Sequence, residues 1–209
     1  MRAARGRVRP SGPRVGLFGG TFDPPHLGHL ALAEWARVRL KLDRVVFIVA
    51  GEPPHKRGRV HSGPTHRLAL TRRAVRGNPG FEVSTAELRR KGPSYTVDSV
   101  REFVEDEPGA RFFLIMGSDM FETFGTWVQP HEILRRATLA VALRPGARAP
   151  RRTPYDTIGK GVVWLDNPGL EVSSTRLREQ AKNGVGLRYL VPDAVARYIG
   201  LHRLYRRGR

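Results

Sequence analysis

The 209-residue sequence predicts an α/β fold, a doubly wound and mostly parallel sheet with helices on both faces. Three observations carry this. Short apolar runs that read as strands alternate with longer segments of helical period. A glycine-rich turn, Gly19-Gly20-Thr21-Phe22-Asp23-Pro24-Pro25, separates the first such run from the first such helix. Several chemistry-bearing stretches fall just after predicted strands, where open α/β sheets bind their ligands.

Val15 to Phe18, apolar and flanked by glycines, is the first strand. The following helix runs to about Leu40, with Leu27, Leu30, Ala31 and Trp35 expected on its buried face. Arg44 to Val49 is the second strand, and Thr65 to Val75 a helix with Leu68, Leu70 and Ala74 apolar. Phe81 to Val83 is a short strand. Tyr95 to Glu105 is helical, with Val97, Val100, Phe103 and Val104 on one side. Arg111 to Met116, Thr138 to Leu143 and Val162 to Leu165 complete the strands. The Pro-, Arg- and Gly-rich stretch from Arg144 to Thr157 reads as a surface loop. Late helices open at Ser173 to Arg178 and cover Asp193 to Ile199. Residues 14–209 are expected to form one domain, and 1–13 an arginine-rich, disordered tail.

Composition narrows the class. Hydrophobic content of 40% suits a globular chain, and no apolar run approaches the ~18 residues that span a bilayer. The four arginines before Pro10 precede no apolar segment, so they do not make a secretory signal; an organelle transit peptide would share their acid-free character. The absence of cysteine excludes disulfide and thiolate chemistry and fits a cytoplasmic enzyme. Net charge is +18, and only five of the 37 basic residues are lysine. Eight of those charges sit on Arg2, Arg5, Arg7, Arg9, Arg203, Arg206, Arg207 and Arg209, so the body is basic as well. Such a field concentrates anionic nucleotides. A basic nucleic-acid-binding protein is the rival class; it has no use for a histidine pair at a glycine turn, and nucleic acid is not an expected partner.

That pair is His26-Leu27-Gly28-His29. A strand, a glycine turn and two histidines at i and i+3 place backbone N–H groups, a helix N-terminus and two imidazoles beside one phosphate chain. Gly19 and Gly20 allow a sharp turn and close backbone approach. Asp23 can accept from nearby amides, and Gly28 is expected to leave room for phosphate. A zinc pair at this spacing lacks an evident third ligand, so no protein metal site is expected.

Gly19 to His29 resembles the signature of the nucleotidylyltransferase superfamily, a glycine-rich stretch ending in H-x-G-H or T-x-G-H. Val172-Ser173-Ser174-Thr175-Arg176-Leu177-Arg178 resembles its I-S-S-T-x-I-R element. Between them lie Pro53-Pro54-His55-Lys56, Gly92-Pro93-Ser94-Tyr95-Thr96-Val97-Asp98-Ser99, Ile115-Met116-Gly117-Ser118-Asp119 and Trp127. In this order they resemble bacterial nicotinate-nucleotide adenylyltransferases, from about Val15 to Tyr205.

The resemblance implies a Rossmann-like nucleotidylyltransferase fold, ATP and nicotinate mononucleotide as substrates, and Mg²⁺ travelling with ATP. It implies that His26, His29, Lys56 and Arg178 are catalytic. It places Gly19, Gly20, Thr21, Phe22, Gly28, Gly117, Asp119, Ser173, Ser174 and Thr175 around ATP. Lys56, Tyr95, Thr96 and Trp127 would hold the mononucleotide. Adenylyl transfer to nicotinamide mononucleotide or to phosphopantetheine stays open within the superfamily.

Overall fold

A computed structural model describes residues 12–52, 61–144, 146–166 and 169–206. Six strands form one sheet: β1 (Arg14–Gly20), β2 (Arg44–Val49), β3 (Phe81–Ser84), β4 (Arg111–Gly117), β5 (Ala137–Ala142) and β6 (Val162–Leu165). Their order is β3-β2-β1-β4-β5-β6, and every pairing is parallel. The expected "mostly parallel" sheet is therefore wholly parallel among the described residues.

Parallel strands need crossovers; among the described residues helices lie in four of the five, none between β5 and β6, and two more helices follow β6. The helices are α1 (Leu27–Arg39), α2 (Pro64–Val75), α3 (Ala86–Arg89), α4 (Thr96–Asp106), α5 (Ser118–Glu122), α6 (Pro130–Arg136), α7 (Ser174–Lys182) and α8 (Asp193–Leu201). Strand alternation divides the core. Val15, Leu17, Val46, Ile48, Phe112, Leu114 and Met116 face α4 and α6. Phe18, Val45, Phe47, Val49, Phe113 and Ile115 face α1. A third cluster joins α2, α7 and α8 through Leu70, Leu177, Val195 and Ile199.

The α1 face differs from the expectation. Its fully buried residues are Ala33 and Ala36, while Leu27, Leu30, Ala31 and Trp35 are half-buried. Small side chains let the helix axis lie close to the sheet, and the larger ones splay along its flanks. Leu30 reaches the third cluster as well as the sheet. The short helices α3 and α6 were also not expected; four and seven residues are too few to show a period.

The order reverses at β1 and β4, the switch point of a doubly wound sheet. Pairing between them runs from Arg14–Arg111 to Leu17–Leu114. Beyond that β1 continues beside β2 to Gly20–Val49, and β4 beside β5 to Gly117–Ala142. The strands part and leave a crevice at their carboxyl ends.

Candidate active site

The turn after β1 is held by a buried carboxylate. Asp23 is 2% exposed. Its Oδ2 accepts from the amides of His61 (2.8 Å) and Ser62 (3.1 Å), and its Oδ1 from the Tyr205 hydroxyl (2.7 Å). Asp23 therefore serves amides distant in sequence, beyond the local ones expected. Burial, reinforced by Asp23, pushes the Tyr205 phenol well above its ordinary range, so it remains a donor.

His26 caps α1 with extended backbone and is 6% exposed. Its amide donates to His29 Nδ1 at 3.2 Å, and the two rings stack with centroids 3.7 Å apart. The neutral His29 ring thus carries its proton on Nε2, an assignment from hydrogen-bond geometry. Burial depresses the His26 pKa from 6.5 to about 4 and keeps that ring neutral as well. The motif therefore offers two neutral imidazoles, one with its tautomer fixed.

The glycines divide by what surrounds them. A Cβ on Gly19 would meet nothing within 4 Å, as ligand approach requires. On Gly20 it would lie 2.7 Å from the Phe22 ring, so this glycine makes room for Phe22. On Gly28 it would lie 3.1 Å from His26 Nδ1 and 3.4 Å from the Leu170 carbonyl. Gly28 thus accommodates the stacked His26 ring. The Phe22 ring is buried against Phe18 and Phe47 and meets His29 edge-on at 5.2 Å.

The late motif docks onto the same turn. Ser173 caps α7 by accepting from the Arg176 amide at 3.3 Å. Ser174 Oγ donates to the Pro24 carbonyl at 2.8 Å. The Arg178 guanidinium donates to the Asp23 carbonyl (2.9 Å) and to Thr175 Oγ1 (3.2 Å). The Leu27 amide donates to the Leu190 carbonyl at 3.0 Å, closing the loop before α8 over the start of α1.

Two further groups sit at neighbouring strand ends. After β2, Glu52 bridges to Pro93 and its carbonyl accepts from the Ser94 amide at 3.0 Å. This brings Tyr95, the N-cap of α4, and Thr96, its first residue, to the β2 end. After β4, Gly117 precedes α5, and a Cβ there would lie 2.5 Å from Asp119 Oδ1. Asp119 is exposed, and Trp127 is half-buried against Phe124 with ring centroids 5.4 Å apart. Lys56, with Pro53, Pro54 and His55, lies outside the described residues. Among the described residues no group of three or more His, Asp or Glu side chains forms a metal cage.

A cytidylyltransferase-like family model matches residues 17–180. A relative in Salinibacter ruber, named "Probable nicotinate-nucleotide adenylyltransferase", is 43% identical over 192 residues, 92% of this chain and 97% of its own. One of the same name in Herpetosiphon aurantiacus is 42% identical over 195 residues, 92% of this chain and 98% of its own. The chain belongs to the nicotinate-nucleotide adenylyltransferase family. The family's fold is the one seen. The nicotinic acid mononucleotide adenylyltransferase of Plasmodium falciparum, complexed with NaAD, superposes with a TM-score of 0.75 at 14% identity, covering 93% of this chain and 98% of that one.

Sequence reading missed three polar residues bonded to these turns: Tyr205 to Asp23, Arg67 to the Thr21 carbonyl, and Glu87 to the Gly51 amide. Each lies outside a motif. An arginine in a helix of an arginine-rich chain reads as solvated surface.

Proposed function

We propose that this chain joins ATP and nicotinate mononucleotide to give nicotinate adenine dinucleotide and pyrophosphate, a step of NAD biosynthesis. The observation that carries this is the stacked, neutral His26–His29 pair beside open Gly19, at the end of a strand that parts from its neighbour. The family's activity supplies the substrates, and the crevice supplies a fitting place for a triphosphate.

The mononucleotide phosphate carries about −1.5 to −2 charges at pH 7, so it attacks without a general base. Its oxygen forms a bond to the α-phosphorus. The bond from that phosphorus to the bridging oxygen breaks, and its electron pair leaves with pyrophosphate. The residues supply position and charge stabilisation. His29 donates from Nε2 to α-phosphate oxygens as charge gathers there, and His26 stacks against it to fix the ring. Arg178, with Thr175 and Ser174, presents donors to the β- and γ-phosphates from an arm anchored on Asp23 and Pro24. Thr21 and Gly19 approach through backbone, Gly117 and Asp119 hold the adenosine, and Lys56 neutralises phosphate. The first amides of α4, which have no intrahelical acceptor, face the nicotinate carboxylate from Tyr95 and Thr96, and Trp127 stacks on the pyridine ring.

A divalent cation suits the triphosphate, and we take it to be Mg²⁺. The described side chains do not gather to cage one, so the ion would be held chiefly by ATP oxygens, neutralising them; no step above is routed through it. The net charge of +18 favours capture of both anionic substrates. Among the described residues no helix is long and apolar enough to cross a membrane. We likewise read residues 14–209 as one catalytic domain.

The test is product analysis with ATP and Mg²⁺ against nicotinate mononucleotide, nicotinamide mononucleotide and phosphopantetheine in parallel. The proposal requires nicotinate adenine dinucleotide as the dominant product. A dominant dephospho-coenzyme A or nicotinamide product would replace the substrate assignment.

A further inference from the structure

Arg67, on α2, is the largest fully buried side chain of the described residues, at 1% exposure. Its guanidinium donates to three backbone carbonyls. Nη1 reaches Thr21 (3.2 Å) and Ala50 (2.6 Å), and Nη2 reaches Gly51 (3.2 Å). Burial weakens its hold on the proton, while Asp23, Tyr205 and Glu87 strengthen it. A charge buried this deeply is poor evidence of a stability device, because desolvation offsets what it gains. What it joins is more informative. Thr21 belongs to the turn after β1, in the ATP half of the site. Ala50 and Gly51 follow β2 and belong to the mononucleotide half.

The connection continues. The Gly51 amide points to Glu87 Oε2 at 3.4 Å, and Glu87 Oε1 accepts from Ser99 Oγ at 2.8 Å. Ser99 lies in the first turns of α4, directly behind Tyr95 and Thr96. Arg90 also donates to Ser99 Oγ, at 3.0 Å. Glu87 is 8% exposed. There is no slack at Gly51, where a Cβ would lie 2.4 Å from the Glu87 carbonyl and 2.5 Å from Ser94 Oγ. A continuous chain of hydrogen bonds therefore runs from the phosphate turn through Arg67, Gly51 and Glu87 to the helix that offers its amides to the mononucleotide.

We propose that Arg67 and Glu87 are positioning residues that set the ATP turn and the mononucleotide helix at a fixed spacing, without touching either substrate. This rests on the adenylyl-transfer reading above. In-line displacement needs the attacking oxygen about 3–3.5 Å from phosphorus, and a misplacement of roughly 1 Å lowers the rate about 100-fold. Each half-site is built from its own strand end and helix start. Cutting the tie leaves each able to bind its own substrate but lets the two drift apart.

The experiment compares Arg67→Lys, Glu87→Gln and the double variant with wild type. It measures kcat on ATP and nicotinate mononucleotide, and by calorimetry the Kd of the mononucleotide and of a non-hydrolysable ATP analogue, each alone. An ammonium cannot copy the three-carbonyl fork. The expected result for Arg67→Lys is a fall in kcat of roughly 10²-fold, with each Kd within about threefold of wild type. Glu87→Gln falls less, and the double variant is no worse than Arg67→Lys, since both cut one chain. A kcat within twofold of wild type in folded Arg67→Lys overturns the proposal, as does a loss lying wholly in one Kd. If Arg67→Lys does not fold, Glu87→Gln and Ser99→Ala carry the test from the other end. The same split supports positioning, and unchanged kcat overturns it. A wild type inactive on nicotinate mononucleotide would instead remove the activity reading, and this inference with it.

Discussion

The His26 ring should make stability depend on pH in a calculable way. In the folded protein burial holds its pKa at about 4, against 6.5 for an ordinary imidazole. The unfolded chain therefore takes up a proton first as pH falls. The stabilisation is fully present above pH 6.5 and is lost as pH drops through about 4. Linkage between these values gives a loss of about 2 kcal/mol by pH 5 and roughly 3 kcal/mol at full extent. Other groups titrate in this range, so the quantity to measure is a difference. Urea unfolding of wild type and His26→Asn at several pH values between 7.5 and 4.5 provides it, because common contributions cancel. Wild type should lose stability relative to His26→Asn by about 2 kcal/mol between pH 7.5 and 5. Nuclear magnetic resonance of the His26 ring should show no protonation over that interval. Parallel stability curves, or a ring titrating near 6.5, would refute the argument that this imidazole is neutral because it is buried.

Other outcomes follow from the site. His29→Ala should lower kcat by roughly 10²–10³ while the fold persists, and near-wild-type turnover in the folded variant would remove His29 from the α-phosphate. Arg178→Lys should raise the KM for ATP and lower kcat, because a lysine cannot bond Asp23, Thr175 and phosphate from one planar group; unchanged values in steady-state kinetics would count against the phosphate role. A chiral α-thiophosphate should be turned over with inversion, and no labelled protein should survive denaturation after incubation with ATP alone; retention would mean a covalent intermediate. Donors aimed at a carboxylate disfavour the amide by about 1–3 kcal/mol per opposed group, so kcat/KM should favour nicotinate over nicotinamide mononucleotide by roughly 10²–10³. Equal efficiencies would refute this. Trp127→Ala should weaken mononucleotide binding more than ATP binding in calorimetry, and an effect confined to ATP would misplace the indole.

The strands and the histidine pair were legible because they are local. Arg44–Val49 and Val162–Leu165 are where the apolar pattern placed them, and the stacked imidazoles are what an i, i+3 spacing at a helix start allows. What stayed hidden depends on how side chains and turns pack in three dimensions, which spacing alone does not contain. Gly20 and Gly28 were legible as glycines, but each accommodates a particular ring, Phe22 or His26. Arg67 gave no signal because its partners are backbone carbonyls, which carry no residue type to pattern on. Glu87 meets Ser99 only because the short loop between α3 and α4 folds one helix against the start of the next. The burial of Ala33 and Ala36 in place of the larger apolar residues of α1 reflects the distance between helix and sheet, which a helical wheel does not contain.

The bond from Tyr205 to Asp23 spans 182 positions. The last strand of the sheet ends at Leu165, so all six strands can pair before this bond has formed. Ser174, Arg178 and Tyr205 then close over a turn that follows the first strand. Sheet formation and site formation are thus separable events in time, the second waiting on contacts of very large sequence separation. A growing chain would pass through a stage with a complete sheet and an unfinished phosphate turn, and a protease nick after α8 would sever the covalent tether of Tyr205 while leaving Ser174 and Arg178 in place. On the proposed reading, catalytic competence therefore draws on segments far apart in sequence, with α7 and Tyr205 completing a turn that follows β1.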